Sequence, residues 1–364
     1  QSTGNEKRKL GAKYGARKAQ KTGFAMPESW LGPEEGEEEK HEDPATQQLC
    51  DLLDQVMHDD SLAETYWQDI IEEITSETQL LRAKAMLGQV PQLHIRPVLQ
   101  RMLGSVQNLT QSGNWDDTTG RDDKSDAEKC LAIVIAALGF FSEENVGPAI
   151  YTDELMETIV DFVDGFINKI IIPALQEALK DQLAHANESA QGKRRKSREQ
   201  SKDVRIGLKR KIDSISHVML VLGDVLRLKI KVQDGQCITL TRICLSNFFV
   251  DFPAAVYHMQ QACVGLMQSL FVRYPDHREY IIQEVVVRAV SWKQVPSEFC
   301  FTLKAPKLGH IQMISALLLS LLQGCCDDSS PLQRSVTGDD VQAKHPAQML
   351  AVMLITRLQA NLNV

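Results

Sequence analysis

Residues 204–231 read VRIGLKRKIDSISHVMLVLGDVLRLKIK. Their apolar side chains fall at Ile206, Leu208, Ile212, Ile215, Val218, Met219, Leu222, Val225 and Leu226. These positions recur at spacings near 3.6, the period of a helix with one buried face. A half-buried strand would need strict alternation, which the stretch lacks. The segment therefore predicts a long amphipathic helix, and the period it sets returns on both sides of it.

Toward the amino terminus, LCDLLDQVMHDD (49–60) places Leu49, Leu52, Leu53 and Val56 on one helical face, and AETYWQDIIEEI (63–74) repeats the device with Tyr66, Trp67, Ile70, Ile71 and Ile74. Pro91 and Pro97 punctuate a further helix reaching about Leu109. A polar insertion near 110–128 follows, ending on Ser125 or Asp126 as the cap of a helix from Cys130 to Phe141. Tyr151–Lys180 is helical in pattern, and Pro173 inside it predicts a kink or break. Beyond Lys231 we expect a turn at Gln233–Gln236, short helices around Thr239–Val250, and an antiparallel helix pair (253–274 and 276–290) broken at Pro275. A loop over 293–308, a helix over 309–325, a polar loop over 326–343 and a helix over 346–362 close the chain. VQDGQCITLT contains a hairpin-like Asp-Gly, but its length and its helical neighbours argue against a strand pair. Successive helices joined by turns bury their apolar faces by stacking on neighbours, so the expected architecture is an all-α, irregular helical-repeat solenoid. A compact bundle stays open for residues 47–180.

The net charge of −8 does not suggest a nucleic-acid binder, but charge is segregated along the chain. Lys7–Lys21 holds seven bases and Glu28–Asp43 eight acids against Lys40. Blocks of this kind bury too little apolar surface to offset chain entropy, so residues 1–45 read as a disordered linker or tail. Residues 46–190 read as a helical subdomain and 191–364 as the repeats proper. The eight cysteines are scattered, several of them inside apolar runs such as AEKCLAIVIAAL, as apolar filler in a reducing compartment would be. Cys325 and Cys326 are adjacent, either two thiols at a helix end or a strained vicinal disulfide. No apolar run approaches the roughly 20 residues of a membrane span, and we expect neither membrane, metal nor cofactor.

Phosphate-loop, dinucleotide, nucleophile-elbow and metalloprotease signatures are all missing from the sequence, and Glu72 and Glu73 point to different helix faces. A non-enzymatic binding protein is the expectation. The strongest local signal lies in GKRRKSREQSKDVRIGLKRK, where Lys193, Arg194, Arg195, Lys196, Arg198, Lys202, Arg205, Lys209, Arg210 and Lys211 face only Glu199 and Asp203. A solvated loop or a nuclear-import signal accounts for such a run. On a helix, however, Lys202, Arg205 and Lys209 share a face, a spacing suited to phosphates of a duplex. The lack of interleaved aromatics argues against single-strand stacking. At RYPDHR, Arg273, His277 and Arg278 flank a helix–turn–helix junction. Capping, with Asp276 opening one helix and Arg273 closing the other, and ligand contact are equally open.

YWQDIIEEIT, CLAIVIAALGFF, AIYTDELMETIVDFVDGFINKIIIPALQ, the basic KRRKSREQ, RKIDSISHVMLVLGDVLRL and FTLKAPKLGHIQMISALLLSLLQGC follow one another along the chain. These segments and their order resemble those of the Nipped-B-like cohesin-loading family. SNFFVD through YPDHREYIIQEV is the most specific part, and the likeness spans about 62–364 apart from an insertion near 77–128. The resemblance implies a nuclear, chromatin-bound HEAT-like scaffold that binds double-stranded DNA, the kleisin and the ATPase heads of cohesin, and stimulates ATP hydrolysis while loading the ring. It further implies that Lys202, Arg205, Lys209, Arg210, Arg273, His277 and Arg278 approach DNA. The chain reads as a fragment from the amino-terminal half of the repeat region, without the segment that binds the small loader subunit. The alternative is a protein-binding adaptor of the transport or phosphatase-scaffold type, with the basic run as an import signal.

Overall fold

The computed structural model describes residues 43–58, 64–115, 125–189, 197–228, 230–250, 253–289, 301–302, 310–326 and 351–352. The acidic and basic blocks before Asp43, the middle of the polar insertion, and Lys193–Lys196 lie outside the described residues. So does nearly all of the closing helix expected over 346–362.

Twelve helices follow one another among the described residues: α1 (Pro44–His58), α2 (Glu64–Ala83), α3 (Gln92–Ser112), α4 (Asp126–Phe141), α5 (Gly147–Ile150), α6 (Asp153–Phe166), α7 (Ile172–Ser189), α8 (Ser197–Arg227), α9 (Asp234–Phe248), α10 (Pro253–Arg273), α11 (Arg278–Ala289) and α12 (Met313–Cys326). Between α11 and α12, Phe301–Thr302 and His310–Ile311 form a two-residue antiparallel pair.

The helix ends follow from local chemistry. The Ser125 hydroxyl accepts the Glu128 N–H, Asp126 and Glu128 sit in the first turn of α4, and Thr152 caps α6 through the Leu155 N–H. Gly113 closes α3 in the left-handed conformation, at φ 66°. Pro97 lies inside α3, which continues through it. At Pro173 the chain neither breaks nor leaves the helix. A π turn, Ile167–Ile171, joins α6 to α7, and Pro173 follows at the second position of α7. A wider turn just before the proline absorbs both its missing N–H and the clash of its ring. The turn expected at Gln233–Gln236 is instead the start of α9, with Gln233 as its cap, and the short helices expected beyond it are that one helix.

The helices stack in two rows. In one, α1 packs on α3, α3 on α6, α6 on α9 and α9 on α11; in the other, α2 packs on α4, α4 on α8, α8 on α10 and α10 on α12. Cross-contacts α1–α2, α3–α4 and α9–α10 tie the rows into helix pairs. Between α4 and α8 the order of contacts is parallel. Glu128 meets Lys211, and farther along Ile135 and Gly139 border the same groove as His217 and Val221. This is the geometry of a helical-repeat solenoid, in which each pair buries its apolar faces against the next. One apolar core runs from Leu49 in α1 to Leu321 in α12, with Phe140, Phe141, Phe162, Phe166, Phe248 and Phe271 fully buried. Asp43–Val364 forms one compact unit.

Polar contacts join neighbouring repeats where the apolar face ends. His94 Nδ1 pairs with Asp54 at 2.9 Å, linking α3 to α1. The Gln236 side-chain amide donates to the Asp153 carbonyl at 3.1 Å, linking α9 to α6. In α10, buried Gln260 donates to the Phe248 carbonyl at 2.9 Å and so satisfies the end of α9.

Candidate nucleic-acid interface

Among the described residues of the basic run, Arg198, Lys202, Arg205, Lys209, Arg210 and Lys211 all lie on α8. Lys202, Arg205 and Lys209 share a face by their spacing of three and four. Lys209 and Arg210 are exposed. Lys211 differs: its side chain is largely covered, and its Nζ lies 3.3 Å from Glu128 Oε1 in the first turn of α4. It fastens the two helices together.

On the apolar side of α8, Leu208, Ile212, Ile215, Val218, Met219, Leu222, Val225 and Leu226 are buried, as the period requires. Ile206 was expected among them and is instead 51% exposed. The reason is positional. Lys211 stands level with the beginning of α4, and Gly223 lies against Leu266 and Ser269, which sets the beginning of α10 level with about Arg210. Ile206 lies beyond both neighbours, on the part of α8 that carries the bases.

At the second site, Pro275–His277 forms a 3-10 turn and α11 begins at Arg278. Arg278 caps α10: its Nε donates to the Phe271 carbonyl at 2.7 Å, its Nη2 to the Val272 carbonyl at 3.1 Å, and its guanidinium stacks 5.1 Å from the Phe271 ring centre. Arg273 is the basic residue in the last turn of α10 and is half-buried beside Tyr274, while Arg278 supplies the hydrogen bonds to the terminal carbonyls. His277 is mostly covered and pairs through Nε2 with Asp234 Oδ1 at 3.1 Å, joining the 3-10 turn to the start of α9. Tyr274 accepts the Val232 N–H at 3.0 Å, and burial pushes its phenol up to about 12. The turn is thereby wired to α9 and α10. Sequence spacing gave no sign of Asp234 and Val232 as its partners, because both lie about forty residues away.

Other titratable groups follow burial. Desolvation pushes the Cys130 and Cys237 thiols up to about 12, and Cys244, hydrogen-bonded to Cys263, well above its ordinary value. Such thiols stay protonated and inert near neutral pH. Burial, then Glu157 and Asp164, raise the Asp161 carboxyl on the acidic face of α6. Among the described residues, no group of three His, Cys, Asp or Glu side chains is placed to hold a metal ion. No helix among them is long and apolar enough to cross a membrane.

A stack of helix pairs in two rows, with charge concentrated on one long helix, defines a helical-repeat scaffold. The relatives narrow that class. The chain is similar to Nipped-B-like protein B of Danio rerio, with 21% identity over 279 residues, 70% of this chain and 9% of that protein. It is 19% identical over 276 residues to the Nipped-B-like protein of Homo sapiens, again 70% of this chain and 9% of that one. Its fold matches the C-terminal fragment of the cohesin loader SCC2 of Chaetomium thermophilum, with TM-score 0.55 and 13% identity over 87% of this chain and 26% of that one. No family model matches. The resemblance to Nipped-B-like proteins, first visible in YWQDIIEEIT and YPDHREYIIQEV, thus extends over most of the chain, which spans about a tenth of the length of these curated relatives.

Proposed function

We propose that the chain is a non-enzymatic segment of a cohesin-loading scaffold and binds duplex DNA through the basic start of α8. The observation that carries this reading is the placement of Arg198, Lys202, Arg205, Lys209 and Arg210 on one helix that runs past its row neighbours, in a chain of net charge −8. Duplex backbones reward such a face because each neutralised phosphate releases condensed counterions, independent of sequence. Lys193, Arg194, Arg195 and Lys196 precede α8 directly in the chain and add charge to the same contact. Arg273 contributes charge at the α10–α11 turn, where His277 and Arg278 hold the scaffold in shape. The similarity to Nipped-B-like proteins and to a cohesin loader supports nuclear, chromatin-bound work, with the kleisin and ATPase-head subunits as protein partners. Stimulation of ATP hydrolysis and the contact with the small loader subunit belong to the longer protein in this reading.

The test is equilibrium binding to a labelled duplex of mixed sequence at physiological salt. With Lys202, Arg205, Lys209 and Arg210 all changed to Glu, affinity should fall by at least about tenfold, since four phosphate contacts are replaced by repulsion. A variant that folds, by its circular dichroism, and still binds like the wild type removes the duplex role of α8.

A further inference from the structure

The start of α8 differs from the rest of the helix in its surroundings. From Lys211 onward, α4 lies on one side and α10 on the other. The segment from Ser197 to Arg210 continues past the beginnings of both, by about 20 Å at 1.5 Å per residue. Ile206 is half exposed there, and a Cβ added at Gly207 would meet nothing within 4 Å. α7 also packs on α8.

Its sequence is poorly suited to standing as a helix alone. Arg198 and Lys202, and Arg205 and Lys209, are like-charged pairs four apart, which repel on a helix surface. Gly207 in the interior weakens it further, because glycine loses the most backbone freedom on becoming helical. Most helical stability in proteins comes from packing an apolar face; on this arm Leu208 is buried while Ile206 stays half exposed, and the arm continues past the beginnings of α4 and α10.

We propose that the arm is a helix only part of the time in the free protein, and that the phosphate backbone of a duplex consolidates it. Phosphates set along the face of Lys202, Arg205 and Lys209 remove the repulsion that opposes the helix. Folding of the arm and binding are then one linked equilibrium. This inference rests on the duplex-binding reading above and adds how that site engages its ligand.

Gly207→Ala tests it without altering charge or introducing a clash. Alanine favours the helix over glycine, so the free arm is helical more often and the full chain should bind a duplex about two- to fivefold more tightly. In the wild-type protein, the amide hydrogens of 200–209 should exchange much faster than those of 212–226, and slow on adding duplex. Equal duplex affinity for Gly207→Ala and wild type, with free-state exchange in the arm as slow as in the rest of α8, overturns the inference while leaving duplex binding intact. Failure of the wild type to bind duplex overturns both.

Discussion

Cys130 and Cys237 illustrate how much a single residue's surroundings decide. Both are buried between helices, and desolvation holds their thiols up to about 12. Their folded value lies above the unfolded one, so the stability they contribute is fully present below about pH 9. It is lost as pH rises from there toward 12. Iodoacetamide at pH 8 should therefore leave both unmodified in the native protein and label them on unfolding in urea, read by peptide mass spectrometry. Labelling of either at the rate of a free thiol in the native state would contradict their placement. The sequence already showed Cys130 inside an apolar run. It did not show the Cys244–Cys263 contact, which depends on how α9 meets α10.

Among elements, the joint from α10 to α11 is held chiefly by one side chain. Arg278 supplies hydrogen bonds to two terminal carbonyls of α10 and stacks on Phe271. Arg278→Ala should lower the unfolding free energy by about 2 kcal/mol in a urea titration, the usual scale for partly buried charged hydrogen bonds. Arg278→Lys should recover part of this, because an ammonium lacks the planar fork. A loss below about 0.5 kcal/mol in the alanine variant would assign the joint to other contacts. Helix existence was legible from the 3.6 period in α1, α3, α4, α6 and α8, because each has an apolar face that packs. The start of α9 was not, since Asp234-Gly235 resembles a turn while forming the first turn of the helix. Pro173 reads in sequence as a kink or break, because a sequence does not reveal that a π turn will absorb it. Ile206 was misplaced for a longer-range reason: periodicity identifies a face, but not where the neighbouring helices begin.

Across the whole molecule, the two rows explain why the repeat was visible only in outline. Row helices α1, α3, α6, α9 and α11 start at Pro44, Gln92, Asp153, Asp234 and Arg278, at unequal intervals. The longest interval is occupied by α6 with its π turn, by α7 and by the extended α8. A fixed period was therefore unreadable, although every unit obeys the same packing. Charge segregation, by contrast, was fully legible, because a run of like charges is a property of sequence alone. What the structure adds is that Arg198, Lys202, Arg205, Lys209 and Arg210 lie on the part of α8 that continues past the beginnings of α4 and α10, while Lys211, His277 and Arg278 serve as internal fasteners. The most direct measurement is the salt dependence of duplex affinity for the wild type and for a variant with Lys202, Arg205 and Lys209 changed to Gln. Each phosphate contact contributes about −0.9 to the slope of log K against log salt, so the variant's slope should be shallower by about 2 to 3. Identical slopes for the two proteins would contradict a duplex-binding face on α8.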